Sequence, residues 1–136
     1  MITVDTNVLV RVLVDDPGEG EQASTARDVL RRAGRVYLPQ VVQAETVWVL
    51  ESAYELQKTE TVRVLEHILA NQAYVLQEEG AFRDALENYR TGSADFADYL
   101  ILAAAQVAQT ELVTFDRRLA RSAGVVLIGA ATGVGQ

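Results

Sequence analysis

The sequence predicts an α/β domain around a mainly parallel sheet, and three observations carry that expectation. Short β-branched runs alternate with helical stretches from end to end of the chain. Acids stand where strands give way to helices, as Asp5 does after Ile2-Thr3-Val4 and Asp116 does after Leu112-Val113-Thr114-Phe115. No internal repeat, linker or second domain breaks the pattern, so residues 1–128 read as one domain. The small, Gly-rich tail over 129–136 is expected to be disordered.

Each element has a local reason. Ile2 to Val4 form a short buried strand, and Thr6 and Asn7 open a helix carrying Val8, Leu9, Val12 and Leu13. Pro17-Gly18 marks a turn, after which Glu19 to Arg32 places Ala23, Ala26, Val29 and Leu30 at helical spacing before Gly34 stops it. Val36 to Leu38 is a strand closed by Pro39. Two helices follow, Val41 to Ala53 and Thr59 to Asn71, with Lys58 in the link between them. Tyr74 to Leu76 is a short edge strand, and Phe82 to Tyr89 a helix broken by Thr91-Gly92-Ser93. Asp95 to Gln109 is the most apolar helix, and its Ala103-Ala104-Ala105 run suits close packing on the sheet. The strand Leu112 to Phe115, a short helix from Asp116 to Ala123 and a last strand from Val125 to Ile128 complete the order.

Composition excludes several chemistries. A hydrophobic fraction of 49% and a charged fraction of 23% fit a soluble globular protein rather than a disordered one. There is no cysteine, which removes disulfides, thiolate metal sites and cysteine nucleophiles, and the single histidine, His67, rules out a two-histidine mechanism. No basic segment leads into an apolar run at the N-terminus, and the longest apolar run, Tyr99 to Ala105, is too short to span a bilayer. A cytoplasmic protein with no membrane association is expected. A net charge of −7 argues against holding nucleic acid by bulk electrostatics, though not against touching it through a metal.

Four carboxylates carry the chemistry. In an open parallel sheet, ligands gather outside the carboxyl ends of the strands, which is where Asp5 and Asp116 belong. Glu45 has Val41, Val42, Trp48 and Val49 as its helical neighbours, so it is expected on or beside a buried apolar stripe, where a charge needs a partner or a metal. Asp98 sits among Ala94, Ile101 and Leu102 in the first turn of its helix, with Asp95 placed to cap it. Each acid alone also reads as a cap or, for Glu45, as a side chain reaching solvent through its methylenes. Together they point to an acidic pocket for a hard divalent cation, because clustered carboxylates resist ionising unless a cation balances them. The natural chemistry of such a pocket is phosphodiester hydrolysis.

Four stretches, Val4-Asp-Thr-Asn-Val-Leu-Val-Arg11, Val42-Gln-Ala-Glu-Thr-Val-Trp-Val-Leu50, Asp95-Phe-Ala-Asp-Tyr-Leu-Ile-Leu102 and Thr114-Phe-Asp-Arg-Arg-Leu119, resemble in order and spacing the PIN-domain family of ribonucleases, especially VapC-type toxins of toxin–antitoxin pairs. The resemblance implies a three-layer α/β/α PIN-like nuclease domain over residues 1–128. It implies Mg²⁺- or Mn²⁺-dependent cleavage of RNA by a metal-activated water, with Asp5, Glu45, Asp98 and Asp116 as the metal-holding catalytic acids. Thr6, Asn7 and Thr114 are then placed to hydrogen-bond a carboxylate, water or phosphate. Asp95 is an extra acid, a cap or an outer contact of the site. Arg11 steadies a phosphate or, on the plainer reading, pairs with Asp15 at i,i+4, and Arg117 and Arg118 either touch substrate or form a solvated face. A homodimer and a cognate antitoxin are the implied partners, with the helices around Trp48, Tyr54 and Leu65 available to either, although Trp48 reads more simply as core.

Rival readings are weaker. A receiver-type phosphoryl-transfer site needs a lysine beside its aspartates, and Lys58 lies in a helix connection. A haloacid-dehalogenase-like phosphatase wants an aspartate where Asn7 stands. A non-catalytic PIN-like module that binds a protein or nucleic acid has no need for the acidic quartet.

Overall fold

The computed structural model describes residues 1–14, 18 and 20–129, and every strand pairing among them is parallel. The expected Pro17 turn, the helix start at Glu19, an Arg11–Asp15 pair and the tail beyond Gly129 lie outside the described residues. The chain forms two compact units, Met1–Glu79 and Gly80–Gln136.

The first unit holds three strands in the order β1 (Ile2–Thr3), β2 (Val36–Leu38) and β3 (Tyr74–Leu76), with Ile2 opposite Val36 and Tyr37 opposite Val75. Parallel neighbours require long crossovers, and helices supply them. Helices α1 (Thr6–Leu13) and α2 (Gly20–Ala33) link β1 to β2, and α3 (Gln40–Ser52) and α4 (Lys58–Ala70) link β2 to β3. α1 packs against α2 and α3, and α3 against α4. Leu9 and Val10 of α1, Leu38 of β2, Leu50 of α3 and Leu65 of α4 are almost fully buried, and burying each such side chain contributes about 1.5–3 kcal/mol.

One buried amide ties α3 to the sheet. Gln43 Nε2 donates to the carbonyls of Leu38, at 3.0 Å, and Gln77, at 2.9 Å, just where β2 and β3 end. The Gln77 side chain in turn accepts the Gln40 amide at 2.8 Å. The start of α3 is therefore held at the carboxyl end of the strands, the edge that β1 also delivers to Asp5.

In the second unit, β4 (Leu112–Thr114) and β5 (Val125–Leu127) pair in parallel, with Leu112 opposite Val125. Helices α5 (Glu79–Thr91) and α6 (Phe96–Val107) bring together an aromatic core in which the Phe96 ring meets Phe82 and Tyr89 edge to face, at 5.6 and 5.7 Å between centroids. Among the described residues no helix is long and apolar enough to cross a membrane.

Several boundaries differ from those expected. α4 begins at Lys58, not after it, because the Glu60 carboxylate accepts the Gln57 amide at 2.9 Å and caps the turn one residue earlier. α5 extends past both expected ends, with Glu79 in a first turn that favours an acid. The short helix expected over Asp116 to Ala123 is only a 3-10 turn, Leu119–Arg121. Of the three successive alanines in α6, Ala103 is buried and Ala104 is exposed, so a single face packs closely.

Gly92 closes α5 in a space no side chain can share. A Cβ there would overlap the Tyr99 hydroxyl and approach the Asn88 carbonyl oxygen at 2.7 Å. That hydroxyl accepts the buried Ala94 amide at 3.2 Å, so it cannot swing away without leaving a donor unpaired. Gly92→Ala should cost about 1–3 kcal/mol by overpacking, seen as a lowered melting temperature, whereas an equal melting temperature would show that this junction yields.

Candidate active site

Asp5 follows β1 in extended conformation and serves as the N-cap of α1, with Oδ1 accepting the Val8 amide at 3.0 Å. The next residue, Thr6, donates its hydroxyl to Glu45 Oε1 at 2.8 Å, which joins the start of α1 to α3. Asp5, Thr6, Asn7 and Glu45 line one cleft of about 320 Å³, together with Trp48 and Val49. Each carboxylate is thus oriented through one oxygen. Asp5 Oδ2 and Glu45 Oε2 accept no hydrogen bond among the described residues. Capping and lining the cleft are not competing roles for Asp5, since a carboxylate has two oxygens.

Glu45 is exposed at the margin of the buried face, next to buried Val42, rather than on it, and Trp48 is not core. Val41 is 64% and Trp48 68% exposed, and Glu45 shares their open face. The buried face of α3 consists of Val42, Gln43, Thr46, Val47 and Leu50. Two polar side chains point inward and two large apolar ones outward, so the apolar spacing misleads. Gln43, which anchors this helix, was not singled out by sequence reasoning, and its flanking valines hide it.

A second, larger cleft of about 780 Å³ runs between α1 and α2, with Asp5, Asn7 and Arg11 on one wall and Gln22 and Thr25 on the other. Arg11 Nε donates to Gln22 Oε1 at 2.9 Å across it.

In the second unit the acids are electrostatically coupled. Burial and the nearby charges of Asp95 and Asp116 push the Asp98 carboxyl above its ordinary range, while a hydrogen bond from the Asp95 amide and the Arg118 guanidinium pull the other way. Asp95 stands at the N-cap position of α6, but its side chain makes no capping bond, and Asp98 reaches back to the Asp95 backbone instead. The expected division of labour between these two aspartates is therefore partly reversed. Asp116 accepts the amides of Arg118 at 2.8 Å and Leu119 at 3.4 Å, and the first of these chiefly holds its carboxyl below the usual range. Thr114 Oγ1 accepts the Asp116 amide at 3.0 Å, so this threonine positions the acid's backbone. Arg118 Nε lies 3.6 Å from Asp116 Oδ1, while Arg117 is exposed.

Among the described residues no group of three or more His, Cys, Asp or Glu side chains is gathered closely enough to hold a metal ion. The donors present nevertheless fit a hard cation by chemistry. They are carboxylate oxygens, some already fixed by backbone or hydroxyl donors, with no competing sulfur or imidazole beside them.

The chain is similar to known proteins over nearly its whole length. A PIN domain model matches residues 2–125. A VapC ribonuclease of Aquifex aeolicus (strain VF5) is 27% identical over 123 residues, covering 87% of this chain and 89% of its own length.

The raised Asp98 carboxyl sets a pH dependence. Between its ordinary value of 3.8 and its higher folded value, the folded state binds more protons than the unfolded one, so stability falls as pH rises through that window and the penalty is complete above it. In EDTA, Asp98→Asn should raise the melting temperature near pH 7, with the gain shrinking toward zero as pH falls to 3.8. Thermal melts across pH check this, and a destabilised variant at pH 7 would contradict it. Asp116, shifted the other way, stabilises above 3.8 and loses that contribution as pH falls through its lower folded value.

Proposed function

The chain belongs to the PIN domain family, and on that premise we propose that it is a Mg²⁺- or Mn²⁺-dependent ribonuclease, the toxin of a toxin–antitoxin pair acting in the cytoplasm. The observation that carries this reading is the cleft in which Asp5 and Glu45 are each held through one oxygen and retain the other. The resemblance of the relative named VapC ribonuclease supports the substrate class. Asp5, Glu45, Asp98 and Asp116 would hold the ion. The chemistry such an ion would supply is acidification of a water and neutralisation of charge developing on the phosphate.

The chain's own residues set the terms of that chemistry. Thr6 keeps Glu45 turned toward the cleft, and the Val8 amide keeps Asp5 from rotating. The amides of Arg118 and Leu119 hold Asp116 ionised, as a ligand must be. Asp98, whose charge its neighbours oppose, is the acid a cation relieves most. Asn7 and Arg11 stand at the rim with donors for a phosphate. A cognate antitoxin keeps the toxin inactive until released, and the working form is a homodimer.

Purified protein freed of any antitoxin should cleave RNA in Mg²⁺ or Mn²⁺ and stop with EDTA. Asp98→Asn should lower cleavage by about 100-fold or more while circular dichroism stays native-like, because a neutral amide is a poorer ligand and no base. Asp95→Asn, which removes no capping bond, should keep most activity. Gel assays of labelled RNA decide it. Equal activity of Asp98→Asn and wild type, with no effect of EDTA, would overturn the metal-nuclease reading in favour of a non-catalytic binding module.

A further inference from the structure

The second unit contains a pocket of about 480 Å³ whose only charged lining side chains are Arg118 and Arg121. Asn88, Thr91, Ser93 and Ser122 surround them with amide and hydroxyl donors. In a chain with 19 acidic residues and a net charge of −7, no Asp or Glu among the described residues lines this pocket, and its polar lining is richer in hydroxyls and amides than that of the other acid-free pocket, beside Arg27 and Arg31. Asp116 partly balances Arg118 from outside the lining, at 3.6 Å, whereas among the described residues no carboxylate pairs with Arg121. Two guanidinium groups facing one pocket repel each other, and an anion between them removes the conflict.

We propose that this pocket binds a backbone phosphate of the RNA strand, a proposal that rests on the ribonuclease reading and adds a second point of contact to it. Guanidinium forks match phosphate oxygens in pairs, and neighbouring hydroxyls complete such a site. The backbone that carries the two arginines is held by hydrogen bonds, while their side chains are exposed to a ligand. Both belong to the segment that begins with the Arg118 amide on the Asp116 carboxylate, at 2.8 Å, and ends with the Ser122 amide on the Leu119 carbonyl, at 3.0 Å. Arg118 thereby borders both the pocket and a candidate catalytic acid, so a phosphate seated here lies along a strand that passes Asp116. A protein with this net charge repels RNA at long range, and local cationic pockets are what hold the strand.

Three variants test the pocket: Arg121→Ala, Arg121→Lys, and Arg31→Ala as a control for the loss of one positive charge, since Arg31 does not line it. Binding is read by anisotropy of a labelled single-stranded RNA in EDTA at several salt concentrations, and of inorganic phosphate by calorimetry. Cleavage is read separately as KM and kcat. Arg121→Ala should weaken RNA binding about tenfold and raise KM with kcat unchanged. The log–log salt slope should fall by about 0.7, and Arg121→Lys should recover part of the affinity. Arg121→Ala that matches Arg31→Ala in affinity and slope overturns the proposal. So does tight inorganic phosphate binding with RNA affinity indifferent to Arg121, which would mark a free-phosphate site. If RNA affinity falls as predicted but no RNA is cleaved with any divalent metal, the ribonuclease reading fails and the pocket stands. Cleavage with an Arg121-independent KM and salt slope leaves the nuclease and removes the pocket.

Discussion

The hydrogen bond from the Val8 amide to Asp5 does two things at once, and much of the first unit depends on it. It satisfies one of the donors a helix start leaves open, and it fixes the direction in which the other carboxylate oxygen faces. Because β1 is only two residues long, the chain has almost no length in which to correct an error before α1 begins. The same economy recurs at Asp116, where two backbone amides and the Thr114 hydroxyl hold the acid and its flanking turn. Acids at strand ends are thus structural first, and their unused oxygens are what chemistry can draw on.

Stability and function pull apart at these positions. Asp98 is half-buried beside Asp95 and Asp116, and its charge is disfavoured in the absence of a counter-ion. A fold selected only for stability would replace it. Carrying such a group is the usual mark of a site that needs it, and under the proposed function a bound cation would turn the repulsion into coordination. Mass action of such an ion on the folded state would return the stability that the bare carboxyl lacks.

The alternation of strands and helices was legible because β-branched runs such as Val36–Leu38 and Tyr74–Leu76 leave little else for the chain to form. The acids at Asp5 and Asp116 were legible as junction residues for the same reason. α3 was not. Its buried face includes Gln43 and Thr46 while Val41 and Trp48 face outward, so apolar spacing misplaces that face and leaves Glu45 at its exposed margin. What orients that helix is a side-chain amide bonded to two strand-end carbonyls far apart in sequence, Leu38 and Gln77, and no local pattern reports such a contact. The pair Asp95 and Asp98 is a similar case. Asp95 holds the N-cap position of α6 without a side-chain capping bond, and Asp98 meets the Asp95 backbone instead, a difference that local sequence does not report.

The central proposal is that Asp5, Glu45, Asp98 and Asp116 serve as ligands of a hard divalent cation. Mn²⁺ binding by electron paramagnetic resonance and calorimetry tests it most directly, using wild type, Glu45→Gln, Asp98→Asn and the double variant. The account predicts a single high-affinity ion that either substitution weakens, with combined effects that do not add, as expected for residues sharing one partner. An ion that binds equally well after Glu45→Gln or after Asp98→Asn, or no Mn²⁺ binding by the wild type, would contradict it.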